Sequence, residues 1–268
     1  MSFEVCRKGE LEYLRAANLR GTVHCFTTRY GGVSEGVLSS LNLGIHRGDR
    51  PENVLENYRR LGDAVGFRPE DVVFTHQTHT AIVRRVGRED RGQGLFYPVP
   101  GDFDGLITNE TGVALIVFSA DCTPILLHDP VHHAIGAVHA GWRGTAAGIA
   151  ANAVKLMGEY YGTDPADICA AIGPCIGPCC FEVGGEVPAA MIKNLGTDAE
   201  KFIAPKGEKY YVNLKEMNRL WLTRCGVQNV AVSCDCTRCQ PDRFWSHRIT
   251  GDARGSQAAL IMLPGERE

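Results

Sequence analysis

The chain lacks any apolar run approaching the roughly 20 residues that cross a bilayer; its most apolar stretches are interrupted by Asp121, His128 and Trp142-Arg143. A membrane is therefore not an expected partner, and a soluble protein is expected. The chain also lacks an excess of one charge, since 28 Lys and Arg against 31 Asp and Glu leave a net charge of -3. No block of basic residues forms the stripe that a phosphate backbone requires, so nucleic acid is not expected either. A secretory leader is not visible: Glu4 stands early in the opening segment, which has no apolar core. The expected location is cytoplasmic. Long linkers, internal repeats and low-complexity segments are missing as well. The 268 residues, 44% hydrophobic, are long enough for a sizeable core and are expected to form one domain over 1–268.

Cysteine is what the chain has in plenty. Eleven cysteines cannot all pair within one chain, and a domain of this size does not need disulfides to make up for a small core. Reduced thiols are expected. Cys6, Cys25, Cys169 and Cys225 belong to no motif and read as packing residues.

The periodicity predicts an early strand over 21–29, broken at Tyr30-Gly31-Gly32, then a loop to about Gly48. Val54, Leu55, Tyr58, Leu61 and Val65 follow Pro51 at near-helical spacing and predict a helix from Pro51 to Val65. Val72 to Phe74 begins a short strand, and the Arg- and Gly-rich stretch 84–101 reads as a surface loop. Continuous apolar runs at 112–118, 124–127 and 134–138 read as buried strands. A helix is expected over 144–160, with Ile149, Ala153, Leu156 and Met157 on one face. Further strands are expected at 168–172, 230–233 and 258–263, and helices at 185–194 and 214–225. The class is α+β or mixed α/β.

Three motifs carry chemistry. In Thr75-His76-Gln77-Thr78-His79 two histidines stand three apart, which puts them on one side of a helix but on opposite faces of a strand. If the segment is a strand end, only one of them is a ligand. In Ser119-Ala120-Asp121-Cys122-Thr123-Pro124 a thiol follows a buried run and precedes a proline that fixes the turn, where strand ends expose functional groups. In Val138-His139-Ala140-Gly141-Trp142-Arg143-Gly144 a buried strand runs into a helix. Small residues there permit close backbone approach, and Arg143 stands at a helix N-terminus that favours an anion. The plainer reading of this last motif is a tight turn with Arg143 paired to a surface carboxylate. Two imidazoles and one thiolate form a set that zinc accepts, leaving a fourth position for water or substrate. Copper binds the same donors.

A competing thiol group, Cys234, Cys236 and Cys239 with His247, has the look of a structural zinc knuckle, but its second CxxC is missing. The segment Gly173 to Glu182 holds Cys175, Cys179 and Cys180; it reads instead as a rigid Gly-Pro loop that places Glu182.

Nearly the whole chain resembles the laccase-domain or YfiH-type proteins, also described as polyphenol oxidase-like and as purine nucleoside phosphorylases. The resemblance is carried, in order, by Thr27 to Ser34, Leu41-Asn42-Leu43-Gly44, Gln77 to His79, Asp104-Gly105, Ala120-Asp121-Cys122, and His139 to Gly144. Ile172-Gly173-Pro174, Phe181-Glu182-Val183-Gly184 and Phe244 to Arg248 continue it. The family pattern implies His79, Cys122 and His139 as metal ligands and so selects His79 over His76. Thr78 and Thr80 replace the family's Val and Gly around that histidine, and Arg254-Gly255-Ser256 replaces its Thr-Gly-Arg.

The resemblance implies mixed sheets layered with helices, in a zinc-dependent enzyme, with copper as the alternative ion. Its implied reaction is phosphorolysis of adenosine, inosine, guanosine or methylthioadenosine to base and sugar 1-phosphate, with adenosine deamination as a second activity. Nucleoside and phosphate are then the small-molecule partners. Arg143 is the candidate for the phosphate and Asp121 for acid–base work, with Arg29, His46 and Glu182 as substrate contacts. Competing readings are a copper-dependent phenol oxidase, a hydrolase with Cys122 as nucleophile and His139 as base, and a metal-stabilised binding module without catalysis.

Overall fold

Strands that are apolar on both faces need a cover on each side, and their arrangement in the computed structural model, which describes residues 3–265, meets that need. Residues 1, 2 and 266–268 of the expected 1–268 domain, and Met1-Ser2 of the opening segment, lie outside the described residues. The strands begin with β1 (Phe3–Lys8), β2 (Leu11–Ala16), β3 (Val23–Thr27), β4 (Val72–Phe74) and β5 (Val83–Arg85). They continue with β6 (Gly105–Thr108), β7 (Ala114–Ser119), β8 (Thr123–Asp129), β9 (Ala134–Ala140) and β10 (Cys169–Ile172). Last come β11 (Glu182–Val183), β12 (Ile203–Lys206), β13 (Lys209–Val212), β14 (Asn229–Val232) and β15 (Gln257–Met262). The helices are α1 (Pro51–Val65), α2 (Trp142–Ala146), α3 (Ile149–Tyr161), α4 (Glu186–Leu195), α5 (Leu214–Arg224) and α6 (His247–Thr250).

One six-stranded sheet has the order β1-β2-β3-β15-β7-β4 and a second the order β14-β10-β8-β9-β6-β5, with a small sheet β11-β13-β12 beside them. The large sheets face each other. Leu115 and Val117 of β7 and Ile261 of β15 meet Leu126 of β8 and Ile135 and Ala137 of β9 in the core between them. The alternate residues point outward: Ala114 and Ile116 pack on Val54, Tyr58 and Leu61 of α1. On the far side, Ile125 and Val138 pack on Ile149, Ala153 and Met157 of α3. The layers therefore run helix, sheet, sheet, helix, an α+β fold as expected, and α4, α5 and the small sheet share a further apolar cluster.

The expected helix from Pro51 to Val65 is α1, opened by Pro51 and closed by Gly66 in the left-handed region at φ 106°. The helix expected over 144–160 is two helices. Gly148 at φ 76° separates α2 from α3, and the Trp221 indole donates to the Thr145 carbonyl at 2.7 Å, satisfying a group at the end of α2. The stretch 84–101 is not all loop, since it contains the end of β5 and a short 3-10 turn at Arg88–Asp90. The hairpin β1–β2, the four-residue β6 and the small sheet lie outside the expected elements. β1 is exposed along most of its length, so no apolar alternation marks it. All eleven cysteines are free thiols, and Cys25 is fully buried in the core. Among the described residues no helix is long and apolar enough to cross a membrane.

Candidate metal centre

The ends of three neighbouring strands converge at one edge of the space between the two large sheets. β8 and β9 pair antiparallel in the register Thr123↔Ala140 and Pro124↔His139, so Cys122, just before β8, falls beside the end of β9. β6 pairs with β9 through Gly105↔Val138, which sets Asp104 next to His139; the His139 N–H donates to the Asp104 carbonyl at 2.7 Å. His139 shares the inward parity of Ile135 and Ala137 and so points between the sheets.

His79 arrives from the loop after β4. That segment is neither helix nor strand, and His79 itself adopts φ 66°, a left-handed conformation that a non-glycine residue seldom takes. Two sets of contacts hold it there. The Gln77 side chain pairs with the Phe118 backbone like an added strand, donating to the carbonyl at 2.9 Å and accepting from the N–H at 2.6 Å. The Asp104 carboxylate accepts from the backbone N–H of His79 at 3.0 Å, from that of Thr80 at 2.8 Å and from the Thr80 hydroxyl at 2.8 Å.

His79 Nε2 lies 3.8 Å from Cys122 Sγ, and one ligand atom each from His79, Cys122 and His139 all lie within 4.8 Å of one another. His76 turns elsewhere, with Nδ1 2.7 Å from Asp102 Oδ1 at the surface. Gly141 is the residue that lets the ligands meet: a Cβ there would stand 2.5 Å from His79 Cδ2 and 3.3 Å from Cys122 Sγ.

The electrostatics suit a cation. Asp104 is fully buried; burial alone would raise its carboxyl, but the hydrogen bond and charge of His139 and the donors of Thr80 bring it below the ordinary value. It is thus an acceptor only, so His139 donates from Nδ1 across 2.8 Å and leaves Nε2 as the nitrogen from which a metal would displace a proton. Burial would raise the Cys122 thiol, yet the charge and hydrogen bond of His139, then those of His79, pull it down to about 6. Burial would lower His139, but the Cys122 thiolate and Asp104 push it up to about 9. A ready thiolate and two imidazoles with one face open fit a catalytic zinc or copper site.

Above these ligands opens a cavity of about 280 Å³, lined on its apolar side by Phe74, Val99 and Phe118 and on its polar side by His46, Arg47, Arg254 and Ser256. Arg47 Nε donates to Ser256 Oγ at 3.3 Å and Arg254 Nη1 to the Gly255 carbonyl at 3.0 Å, while the buried Arg254 Nε has no hydrogen-bond partner. Burial and then the charge of Arg47 pull Arg254 down to about 10. Arg47 Nη1 also stands 3.9 Å from Asp252 Oδ1, and two neighbouring guanidinium groups with donors to spare could hold an anion.

Of the expected catalytic and substrate-binding residues, only His46 lines this cavity, whose wall also includes His76. Arg143 is exposed and stacks on Trp142 at 4.3 Å outside the lining, so the cavity's arginines are Arg47 and Arg254 instead. Asp121, at φ 88°, has both carboxylate oxygens engaged, by the Thr237 hydroxyl at 2.6 Å, the Ser246 hydroxyl at 3.0 Å and the Arg248 N–H at 2.7 Å. Its position fixes the turn that presents Cys122. Arg29 lies over Trp245 at 3.8 Å and donates to the Ser39 and Pro241 carbonyls, and Glu182 accepts from the Tyr211 hydroxyl at 2.9 Å; neither reaches the cavity. Asp104 carried no spacing cue beyond its place in the Asp104-Gly105 pair. The competing zinc knuckle of Cys234, Cys236, Cys239 and His247 is not assembled: Cys236 and Cys239 stand instead with Cys179 and Cys180.

Sequence relatives and solved structures place the chain among known proteins. The chain is 40% identical to purine nucleoside phosphorylase YlmD of Geobacillus stearothermophilus, over 92% of this chain and 91% of that protein. Identity to purine nucleoside phosphorylase YlmD of Bacillus subtilis is 36%, over 91% of this chain and 89% of the other. The crystal structure of the Geobacillus YlmD superposes with a TM-score of 0.92 at 38% identity, covering 98% of this chain and all of that one. A Bacillus licheniformis protein described as hypothetical YfiH superposes with a TM-score of 0.91 at 36% identity, covering 97% and 98% of the two chains. Residues 23–264 match the family model described as multi-copper polyphenol oxidoreductase laccase, and the chain belongs to that family.

Proposed function

We propose that the protein is a zinc-dependent purine nucleoside phosphorylase acting on adenosine, inosine, guanosine or methylthioadenosine. The observation that carries this reading is the adjacency of the His79, Cys122 and His139 donor set to a cavity with an aromatic side and a paired-arginine side. The names of the two YlmD relatives support the reaction class. When bound, the ion supplies Lewis acidity and lowers the pKa of a coordinated water to about 7.

The protein's own groups supply the rest. Phe74 and Phe118, with ring centroids 5.0 Å apart, offer an apolar wall for a flat base. Arg47 and Arg254 hold phosphate so that one of its oxygens attacks C1′ of the ribose as the bond to the purine nitrogen breaks. The base leaves with a proton, and the sugar leaves as its 1-phosphate. His46 is the acid–base candidate that lines the cavity. Adenosine deamination, the second activity in this reading, requires water at the same centre.

A second reading draws on a specific geometry: Cys122, His139 and Asp104 stand as nucleophile, base and orienting carboxylate, with the thiol already pulled down to about 6. The two readings separate in one experiment. Purified protein is given inosine with and without phosphate, before and after chelation, beside the Cys122→Ser variant. Hypoxanthine that appears only with phosphate and disappears on chelation supports the phosphorylase. Ester or amide hydrolysis that survives chelation and is lost on alkylation supports the thiol hydrolase, and copper-dependent phenol oxidation with no base release would mark an oxidase.

A further inference from the structure

We propose that Cys179, Cys180, Cys236 and Cys239 hold a second ion, a structural zinc, at a site separate from the His79, Cys122 and His139 centre. One sulfur from each residue lies within 4.8 Å of all the others, with Cys179 Sγ 3.5 Å and Cys180 Sγ 3.4 Å from Cys239 Sγ. A tetrahedral zinc with bonds of about 2.3 Å sets its sulfurs about 3.8 Å apart, within the range these four span. The spacing selects one ion over an iron–sulfur cluster, which interposes its own sulfides between thiolates and so spreads them.

Ordinary thiol packing does not explain the group. Cys180 and Cys236 are buried, but Cys179 and Cys239 are exposed, where a small apolar side chain gains little. Donors also point at the sulfurs. The Gly177 N–H lies 3.1 Å from Cys236 Sγ and Arg238 Nη1 lies 3.5 Å from Cys180 Sγ. Both partners suit thiolates, and the Arg238 charge offsets part of the net negative charge that four thiolates leave around a divalent ion. The supporting loop is built for close approach: a Cβ on Gly177 would stand 3.2 Å from Cys179 Sγ and from the Cys236 Cβ.

Four protein ligands close the coordination shell, so this ion has no place for substrate, and its role is mechanical. It ties the loop carrying Cys179 and Cys180 to the turn Cys236-Thr237-Arg238-Cys239. Thr237, held in the middle of that turn, donates to Asp121 at 2.6 Å, and Asp121 is the neighbour of Cys122. The ion thus braces the turn that presents the catalytic thiolate, whether or not the phosphorylase reading holds.

Cobalt binding to the full-length Cys122→Ala variant tests this, because that background has lost the only thiolate of the first centre. The reduced variant, titrated with cobalt, should take up one ion with thiolate-to-cobalt charge-transfer bands and the visible bands of a tetrahedral site. Zinc should bleach them. Adding Cys239→Ser or Cys179→Ser, both at exposed positions, should abolish the tetrathiolate spectrum while far-ultraviolet circular dichroism stays unchanged. Native mass spectrometry of the Cys122→Ala variant should find a zinc that survives loss of the first centre's thiolate. The assignment is overturned if Cys122→Ala shows no thiolate–cobalt bands, if the serine variants leave them intact, if the purified chain carries iron there, or if peptide mapping finds a disulfide among the four in place of an ion.

Discussion

Asp104 joins two candidate metal ligands that lie far apart in the chain: its Oδ1 accepts from His139 Nδ1 at 2.8 Å and from the His79 backbone N–H at 3.0 Å. One buried carboxylate therefore sets both the tautomer of one imidazole and the loop that delivers the other. Asp104→Asn keeps the volume but removes the charge and presents an amide to donors. Metal affinity at the first centre should fall by about 10- to 100-fold, the usual loss for such a partner. Chelator competition measures it, and unchanged affinity would mean that the carboxylate only supports the fold.

Gly141→Ala should be as damaging as loss of a ligand while leaving the sheets intact. The added methyl would stand 2.5 Å from His79 Cδ2, and the imidazole must move away from Cys122 to make room. The cobalt spectrum of the first centre should then lose its Cys122-plus-His79 character with little change in heat-unfolding midpoint. An alanine variant with the parent's spectrum would show that His79 is less confined than this contact requires.

Metal affinity should depend on pH with a definite sign. Without metal, between about 6 and about 9, Cys122 is a thiolate and His139 an imidazolium, so binding a metal must expel one proton. Affinity should rise about tenfold per pH unit across that window and level off above it, when His139 is already neutral. Below the window the thiol is protonated too, and the slope should steepen. Titration of a chelator-buffered ion at several pH values checks this; a flat profile would contradict the thiolate–imidazolium pair.

How much of this was legible in the sequence depends on the kind of signal. α1 was readable because Pro51 and the spacing of Val54, Tyr58 and Leu61 agree. The strands buried on both faces were readable as continuous apolar runs. Gly148 hid inside an alanine-rich pattern, so the break between α2 and α3 was not visible, and exposed β1 offered no alternation to read. Single side chains followed the same rule. Cys122 and His139 sit where buried runs end, whereas Asp104 is functional only through the register that sets β6 beside β9. The meeting of Cys179-Cys180 with Cys236 and Cys239 is tertiary in the same sense, because the pairs are more than 50 residues apart in the chain.

Arg254→Ala and Arg47→Ala should each raise the KM for phosphate by about 10- to 100-fold, the worth of a charge-assisted hydrogen bond, with zinc content unchanged. Arg143→Ala, at an exposed position outside the cavity lining, should alter that KM far less. If instead Arg143→Ala alone destroys phosphate dependence, the anion site lies at the start of α2 and the paired arginines serve another purpose.

The most direct measurement is the rate of hypoxanthine release from inosine as phosphate is varied, using protein stripped of metal and then reloaded with zinc or with copper. Saturable dependence on phosphate, restored by zinc in the parent but not in the Cys122→Ser variant, is the expected result. Base release that ignores phosphate, or that persists in stripped protein, would contradict a metal-dependent phosphorylase at His79, Cys122 and His139.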